Sequence, residues 1–180
     1  MAAKIAFIAA VAENYIIGRD GDLPWKLPAD LRWFVEKTRG KPVISGRRTF
    51  ESTGTLRSRK NIVVTTQSDY DGDCDVVAHS IDGALAAAGD VEEAMILGGA
   101  TIYEELLERA DRFYLTVIHD RPQGDTRFPA FSADQWEVTY EHHHAADEQN
   151  PVAMTFYILD RATYGPSDNA PQDLIPAAFR

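Results

Sequence analysis

The feature that most limits the folds open to this chain is how its short apolar runs end. They occur at Lys4 to Val11, Val43 to Ser45, Asn61 to Thr66 and Ala94 to Leu97. A short, nearly continuous apolar run suits a strand buried on both faces, as in a parallel sheet. Gly46 follows the second run and leads into a short helix, Arg47 to Ser52. Gly98-Gly99 follows the last and leads into a helix at Thr101 to Arg109. Between them, Val76-Val77 reads as a short strand, and Ser80 caps a helix containing Ala84 to Ala88 that Gly89 stops. Phe113 to His119 is a further strand. Trp136 to His142 and Ala153 to Leu159 alternate apolar with polar residues, the pattern of an antiparallel pair at a sheet edge. This order predicts an α/β protein: a central, mostly parallel mixed β-sheet of about eight strands, with flanking helices and a C-terminal antiparallel hairpin. No 20–50-residue period repeats.

The chain has 180 residues, enough for one well-packed core and short for two. Residues 1–161 are expected to form a single domain. Residues 162–180 carry Pro166, Pro171 and Pro176 and read as a partly mobile tail. A formal net charge of −10 argues against nucleic acid as a partner. It leaves room for a small anion held by local arginines. No apolar run is long enough to span a membrane. Lys4 followed by Ile5 to Ala12 imitates a signal peptide, but the run has the length of a buried strand, so a cytoplasmic protein is expected. Cys74 has no partner for an internal disulfide, which suits a reducing compartment.

Chemistry concentrates around Leu23-Pro24-Trp25-Lys26-Leu27-Pro28-Ala29-Asp30. Pro28 suits the first position of a helix running to Thr38. Leu27, Leu31 and Phe34 recur at helical spacing and predict an apolar face, with Asp30 beside it. Asp30 reads either as a first-turn acid serving the helix dipole or as a functional carboxylate. Before it, Glu13 to Leu27 has no sustained period and is long enough to be a lid. Gly98-Gly99 between strand and helix reads as a structural turn or as a phosphate site, since backbone N–H groups converge there. Gly46-Arg47-Arg48-Thr49 repeats the arrangement with two guanidiniums that oppose the helix dipole unless an anion is bound. Thr65-Thr66-Gln67 adds a third polar strand end. Three such ends suggest a dinucleotide across the carboxyl edge of the sheet, although the G-x-G-x-x-G fingerprint is absent. Arg57, Arg59 and Lys60 read as a solvated loop or as a carboxylate clamp. His142-His143-His144 lacks companions at ligand spacing, so no metal is expected. No Ser-His-Asp or Gly-x-Ser-x-Gly pattern occurs.

In order and interval these motifs resemble the dihydrofolate reductase family, from Ile5 to about Arg161. The resemblance rests on Ile8-Ala9-Ala10, Ile17-Gly18, Leu23-Pro24-Trp25, Leu27 through Phe34, Lys41 through Ile44, Gly46 through Ser52, Arg59-Lys60-Asn61, Leu97 through Ala100, Ile102-Tyr103, Tyr114-Leu115-Thr116 and Gly124-Asp125-Thr126. It implies reduction of 7,8-dihydrofolate to tetrahydrofolate with NADPH, by hydride transfer to C6 and protonation at N5, in support of one-carbon and thymidylate metabolism. It also implies a monomer and binding of antifolate-type small molecules.

Carried over residue by residue, Asp30 faces the pterin, Thr116 supports that carboxylate, and Leu23 and Trp25 belong to the lid that governs catalysis. Ile8, Ala10, Leu31, Phe34, Thr53, Leu56 and Leu97 line the folate pocket, and Arg59 binds the α-carboxylate of the tail. Ala10, Ile17, Gly46, Arg47, Arg48, Thr49, Thr66, Gln67, Leu97, Gly98, Gly99, Ala100, Thr101, Ile102 and Tyr103 line the NADPH site, with Arg47 and Thr66 at the 2′-phosphate. In the family the Gly98-Gly99 bond is typically cis. The chain departs from the family pattern in having Leu23 for Met, Ser45 for Met or Gly, Thr53 for Ile, Thr101 for Arg and a shortened Gly54–Arg59 segment. A related-fold reductase acting on a pyrimidine intermediate of riboflavin synthesis would not need an acid at Asp30. A binding protein without turnover would lack the acid or the paired glycines.

Overall fold

Residues 2–163 are described in a computed structural model. The 164–180 part of the expected tail lies outside them. The chain runs through β1 (Lys4–Ala12), β2 (Ile16–Gly18), α1 (Pro28–Thr38), β3 (Val43–Gly46), α2 (Arg47–Thr53), β4 (Asn61–Val64) and β5 (Val76–Ala78). It continues through α3 (Ile81–Ala88), β6 (Glu93–Gly98), α4 (Ala100–Leu106), β7 (Arg112–Ile118), β8 (Thr126–Arg127), β9 (Trp136–His144) and β10 (Met154–Arg161). The expected mixed sheet is present, with eight strands in the order β5-β4-β3-β6-β1-β7-β10-β9. Its first six strands pair in parallel, and β10 runs antiparallel to both β7 and β9.

The side chains of β1 show why the sheet is buried on both faces. Ile5, Phe7 and Val11 enter one core cluster, while Ala6 and Ile8 enter the other. Successive strand residues point to opposite faces, so a run with no polar break needs cover on both. The first cluster includes Ile102, Tyr103 and Leu106 of α4 with Phe113 and Phe128. The second takes Leu27, Ala29 and Trp33 from the start of α1, with Tyr114 and Phe156 from the sheet. Burying a side chain such as Phe7 contributes roughly 1.5–3 kcal/mol.

Register places the two glycine junctions side by side. β3 pairs with β6 so that Ser45 stands opposite Gly98. β4 pairs with β3 so that Val64 stands opposite Gly46, and Thr65 to Gln67 emerge at the same edge. At the far end, Glu93 is buried and accepts from Lys41 Nζ at 2.9 Å, Arg112 Nη1 at 2.9 Å and the Tyr114 hydroxyl. That network ties β6 to β7 and to the approach to β3.

Several sequence expectations need correction. The Glu13–Leu27 segment is not structureless: Ile16–Gly18 forms β2 and pairs with Thr126–Arg127, part of which was expected to be loop. Asp20 and Gly21 then make a tight turn, both with positive φ (52° and 80°), closed by Arg19 N to Asp22 O at 2.8 Å. Asp-Gly is the dipeptide such a turn favours. The helix expected over Thr101 to Arg109 is α-helical only to Leu106 and closes with a 3₁₀ turn. β4 stops at Val64 rather than Thr66, and β9 runs on to His144. On α1 the expected face holds at Leu27 and Phe34, but Leu31 is 62% exposed and Ala29 and Trp33 are the buried residues beside them. Trp33 wins because its ring packs on Phe156 (centroids 4.9 Å), Tyr140 (5.7 Å) and Tyr114 (6.4 Å).

A cleft between an acid and two glycine junctions

Asp30 sits in the first turn of α1 beside the apolar wall formed by the second core cluster. Pro28 opens the helix, and no side chain of Leu27 caps it. Thr116, in β7, donates its hydroxyl to Asp30 Oδ1 at 2.7 Å. β1 and β7 hold Ala10 opposite Thr116, which brings Ile8 and Ala10 to the same wall. Burial pushes the Asp30 carboxyl up to about 6, and the Thr116 bond opposes part of that rise. The desolvation of the ionised form outweighs a single neutral donor.

Around this acid the fold gathers Ile8, Ala10, Trp25, Phe34, Leu56 and Leu97 into one apolar cluster. The Trp25 Nε1 group is buried without a protein acceptor among the described residues. Leu31 stands outside that cluster and is exposed. Thr53 is exposed, and its hydroxyl donates back to Thr49 O at 3.0 Å. Leu23 is 54% exposed on the lid.

Arg59 is held against the C-terminal half of α1. Its Nε donates to Thr38 Oγ1 at 3.0 Å, one Nη donates to Val35 O at 2.9 Å, and the other donates to Arg57 O at 2.6 Å. A guanidinium has five N–H groups, so one remains on each terminal nitrogen, a spacing that suits a carboxylate. Desolvation and the nearby Arg39 hold its pKa below the usual value.

Across the cleft lie the glycine junctions. Gly46 and Gly99 precede α2 and α4, and neither junction is capped by a side chain. The Gly98-Gly99 peptide is cis, with Gly98 at φ +105°. A Cβ on Gly98 would come within 2.7 Å of the Tyr103 ring, and one on Gly99 within 3.2 Å of Thr49 Oγ1. Gly98 is therefore required by packing and by its positive φ, while at Gly99 a side chain would press on Thr49. Ile102 and Tyr103 are buried behind the junction, and Tyr103 donates its hydroxyl to Ile8 O at 2.7 Å, joining the two walls. Ala100 is partly buried, and Thr101 is exposed on α4. Ile17, in β2, packs on the first cluster.

The arginine pair departs from the sequence picture. Arg47 does not point an unneutralised charge along α2, because its Nη1 binds Glu51 at 3.0 and 3.1 Å one turn on. Arg48 is exposed, as are Thr66 and Gln67. Sequence reading missed His79, which bonds Thr65 O at 2.9 Å beside that strand end. Strand order alone brings it there. Reading also missed the ties on the lid turn. Asp20 N donates to Asp125 Oδ2 at 2.9 Å, Asp125 N donates to Gly18 O at 3.1 Å, and Ser52 Oγ donates to Gly21 O at 2.8 Å. Of these, the Gly124-Asp125-Thr126 motif was the one visible signal. The histidine triplet is split by the strand: His143 Nδ1 meets Thr155 Oγ1 at 3.2 Å, and His144 Nε2 lies 3.7 Å from Asp147. No group of three potential metal ligands converges among the described residues.

Comparisons with known proteins agree with this geometry. Residues 4–161 match the family model described as dihydrofolate reductase. The chain is 48% identical over 158 residues to dihydrofolate reductase type 3 of Salmonella typhimurium, covering 87% of this chain and 98% of that protein. It is 41% identical over 157 residues to dihydrofolate reductase of Haemophilus influenzae, covering 87% and 98%. Its structure matches that of Enterococcus faecalis dihydrofolate reductase complexed with NADP(H) and RAB-propyl, with a TM-score of 0.82 and 37% identity over 88% of this chain and 96% of that one. With an acid held by a threonine on one wall and paired glycine junctions on the other, the chain belongs to the dihydrofolate reductase family.

Proposed function

We propose that this chain reduces 7,8-dihydrofolate to 5,6,7,8-tetrahydrofolate at the expense of NADPH, with Asp30 as the group that recognises and polarises the pterin. The observation that carries the reading is the Asp30 carboxylate, set in an apolar wall and held by Thr116. Thr116 occupies Oδ1, which leaves Oδ2 and a second lone pair for two parallel N–H bonds. The amino-pyrimidine edge of a pterin offers that pair of donors. Phe34, Leu56, Ile8 and Leu97 exclude water around the ring, and Arg59 has two N–H groups free for the carboxylate of the tail.

NADPH, when bound, supplies the hydride that C6 accepts, and N5 takes a proton as the C6=N5 double bond is reduced. The glycine junctions fit such a dinucleotide because they expose backbone at adjacent strand ends, with Arg47, Arg48, Thr49, Thr66 and Gln67 around them. Arg47 with Thr66 takes the 2′-phosphate in this reading. Ala10, Ile17, Gly46, Leu97, Gly98, Gly99, Ala100, Thr101, Ile102 and Tyr103 form the rest of that wall. Asp30 lies at the amino-pyrimidine edge rather than at N5. Its charge favours the protonated substrate, and a water passing the Leu23-Pro24-Trp25 lid delivers the proton. The protein acts as a monomer in the cytoplasm, without nucleic acid.

Following NADPH oxidation with dihydrofolate at pH 7 tests this directly. Wild type turns over, and Asp30→Asn loses about 10²-fold or more in kcat/KM, the scale of a lost proton-handling group. Absence of wild-type turnover would end the reading. Full activity in the variant would remove Asp30 from its role.

A further inference from the structure

The start of α1 is secured from outside the helix. Pro28 contributes no N–H, and the Asp30 and Leu31 amides bond Leu27 O at 3.0 and 3.1 Å. That leaves the Ala29 amide, which donates to Asn150 Oδ1 at 2.9 Å in a buried bond spanning 121 residues. Asn150 lies in the β9–β10 connection and is 1% exposed. Its Nδ2 donates to Asp147 Oδ1 and Oδ2 at 3.0 and 3.3 Å. Its backbone N–H donates to Asp147 Oδ1 at 2.7 Å, and its carbonyl accepts from Asp147 N at 2.8 Å. Gln149 N also donates to Asp147 Oδ1, at 2.9 Å. The orientation of the amide is therefore fixed by its partners: a carboxylate requires its NH₂, and a backbone N–H requires its oxygen.

We propose that Asn150 is a positioning residue for Asp30: it caps α1 in trans and, together with Thr116, holds the carboxylate at the folate wall. The inference rests on the catalytic reading of Asp30 above. Thr116 fixes the side chain from β7, and Asn150 fixes the backbone one residue before Asp30. Both anchors belong to one rigid unit, because β10 pairs with β7 through Phe156 opposite Thr116. Charged groups around the latch are Asp147, which its amide bonds hold below the usual carboxylate range, and His144 at 3.7 Å from it. The amide at position 150 brings an oxygen to the helix end, and its pair with Asp147 carries one negative charge whichever of the two positions holds the carboxylate.

The test compares wild type, Asn150→Ala and the exchange Asp147→Asn/Asn150→Asp. The exchange preserves an acceptor for Ala29 and a donor–acceptor pair between the two positions. The Asp30 carboxyl is titrated by NMR without ligands, and kinetics are measured alongside. In Asn150→Ala the Ala29 N–H is freed and water reaches the first turn. Both changes favour the ionised acid, so the Asp30 titration falls by about one unit. The KM for dihydrofolate rises about tenfold while the NADPH dissociation constant, set across the cleft, stays within twofold; these are the magnitudes of a lost buried bond. The exchange restores dihydrofolate KM to within about threefold of wild type. An unchanged Asp30 titration in Asn150→Ala overturns the proposal, as does an equal loss of NADPH and dihydrofolate binding. If Asn150→Ala does not fold, the exchange decides: wild-type-like KM supports the latch, and failure of both variants to fold overturns it in favour of a purely structural residue. Wild-type turnover in the same assay reports separately on the reductase reading, because the titration needs no substrate.

Discussion

Replacing Asp30 with Asn should make the ligand-free protein more stable while removing its activity, and the stability gain should depend on pH in a defined way. Burial raises the Asp30 carboxyl from 3.8 to about 6 in the folded protein. A carboxyl whose folded value is raised contributes stability that is complete below about 3.8 and is lost as pH climbs through about 6. At 1.36 kcal/mol per unit, the roughly two-unit shift penalises the folded state by about 3 kcal/mol above pH 7. The penalty is near zero at pH 3.5, about 1.6 kcal/mol at pH 5 and flat beyond pH 7. Asn cannot ionise and keeps an oxygen for the Thr116 hydroxyl. Urea unfolding of both proteins from pH 4 to pH 8 should therefore give curves that diverge up to pH 7 and then run parallel. In thermal melts at neutral pH the variant should gain about 6–12 °C, at 2–4 °C per kcal/mol for a chain of this size. A constant offset between the two proteins across the whole range would refute the reasoning. It would mean that Asp30 is not desolvated, and that any stability change comes from shape alone.

Other perturbations address the remaining parts of the site. Thr116→Val removes the one donor that opposes desolvation, so the Asp30 titration should rise above 6, and dihydrofolate KM should rise about tenfold with NADPH KM unchanged; carboxyl NMR and steady-state kinetics check both. Arg47→Ala should raise the KM for NADPH much more than that for NADH. Glu51→Gln should lower the NADPH KM about twofold by releasing Arg47 from its i,i+4 partner, a pair worth about 0.3–0.5 kcal/mol; equal effects on both cofactors would remove Arg47 from the 2′-phosphate. Gly98→Ala sets a Cβ 2.7 Å from the Tyr103 ring at φ +105°, so the melting temperature and NADPH affinity should fall together, as read by calorimetry and fluorescence titration.

Local signals survived folding where the responsible interactions are themselves local. Ser80 caps α3, with its hydroxyl accepting from Gly83 N at 2.9 Å, and Pro28 opens α1, because capping involves residues within one turn. The continuous apolar runs gave buried strands for a similar reason. The α1 face was legible only in part: Leu27 is buried and Phe34 packs on the same cluster, but Leu31 turns to solvent, and Ala29 with Trp33, whose ring packs on Phe156 and Tyr140, completes the buried face. The lid strand β2 was missed because three residues carry too little period to register, and its partner β8 lies more than a hundred residues away.

The sequence by itself determined the strand–glycine–helix order, and with it a parallel sheet whose carboxyl edge carries polar ends. It also determined that an acid stands in the first turn of a helix that the Leu23-Pro24-Trp25 segment leads into. Those features follow from backbone preferences and side-chain periodicity along contiguous chain. Tertiary structure alone decided what the acid became. Thr116 reaches it from 86 residues away, and Asn150 secures the turn beside it from 121 residues away. Apolar cover from β1 and β6 then raises its pKa. Such contacts depend on strand register and on which face each strand turns to its neighbour, and neither is written in any local stretch of the chain.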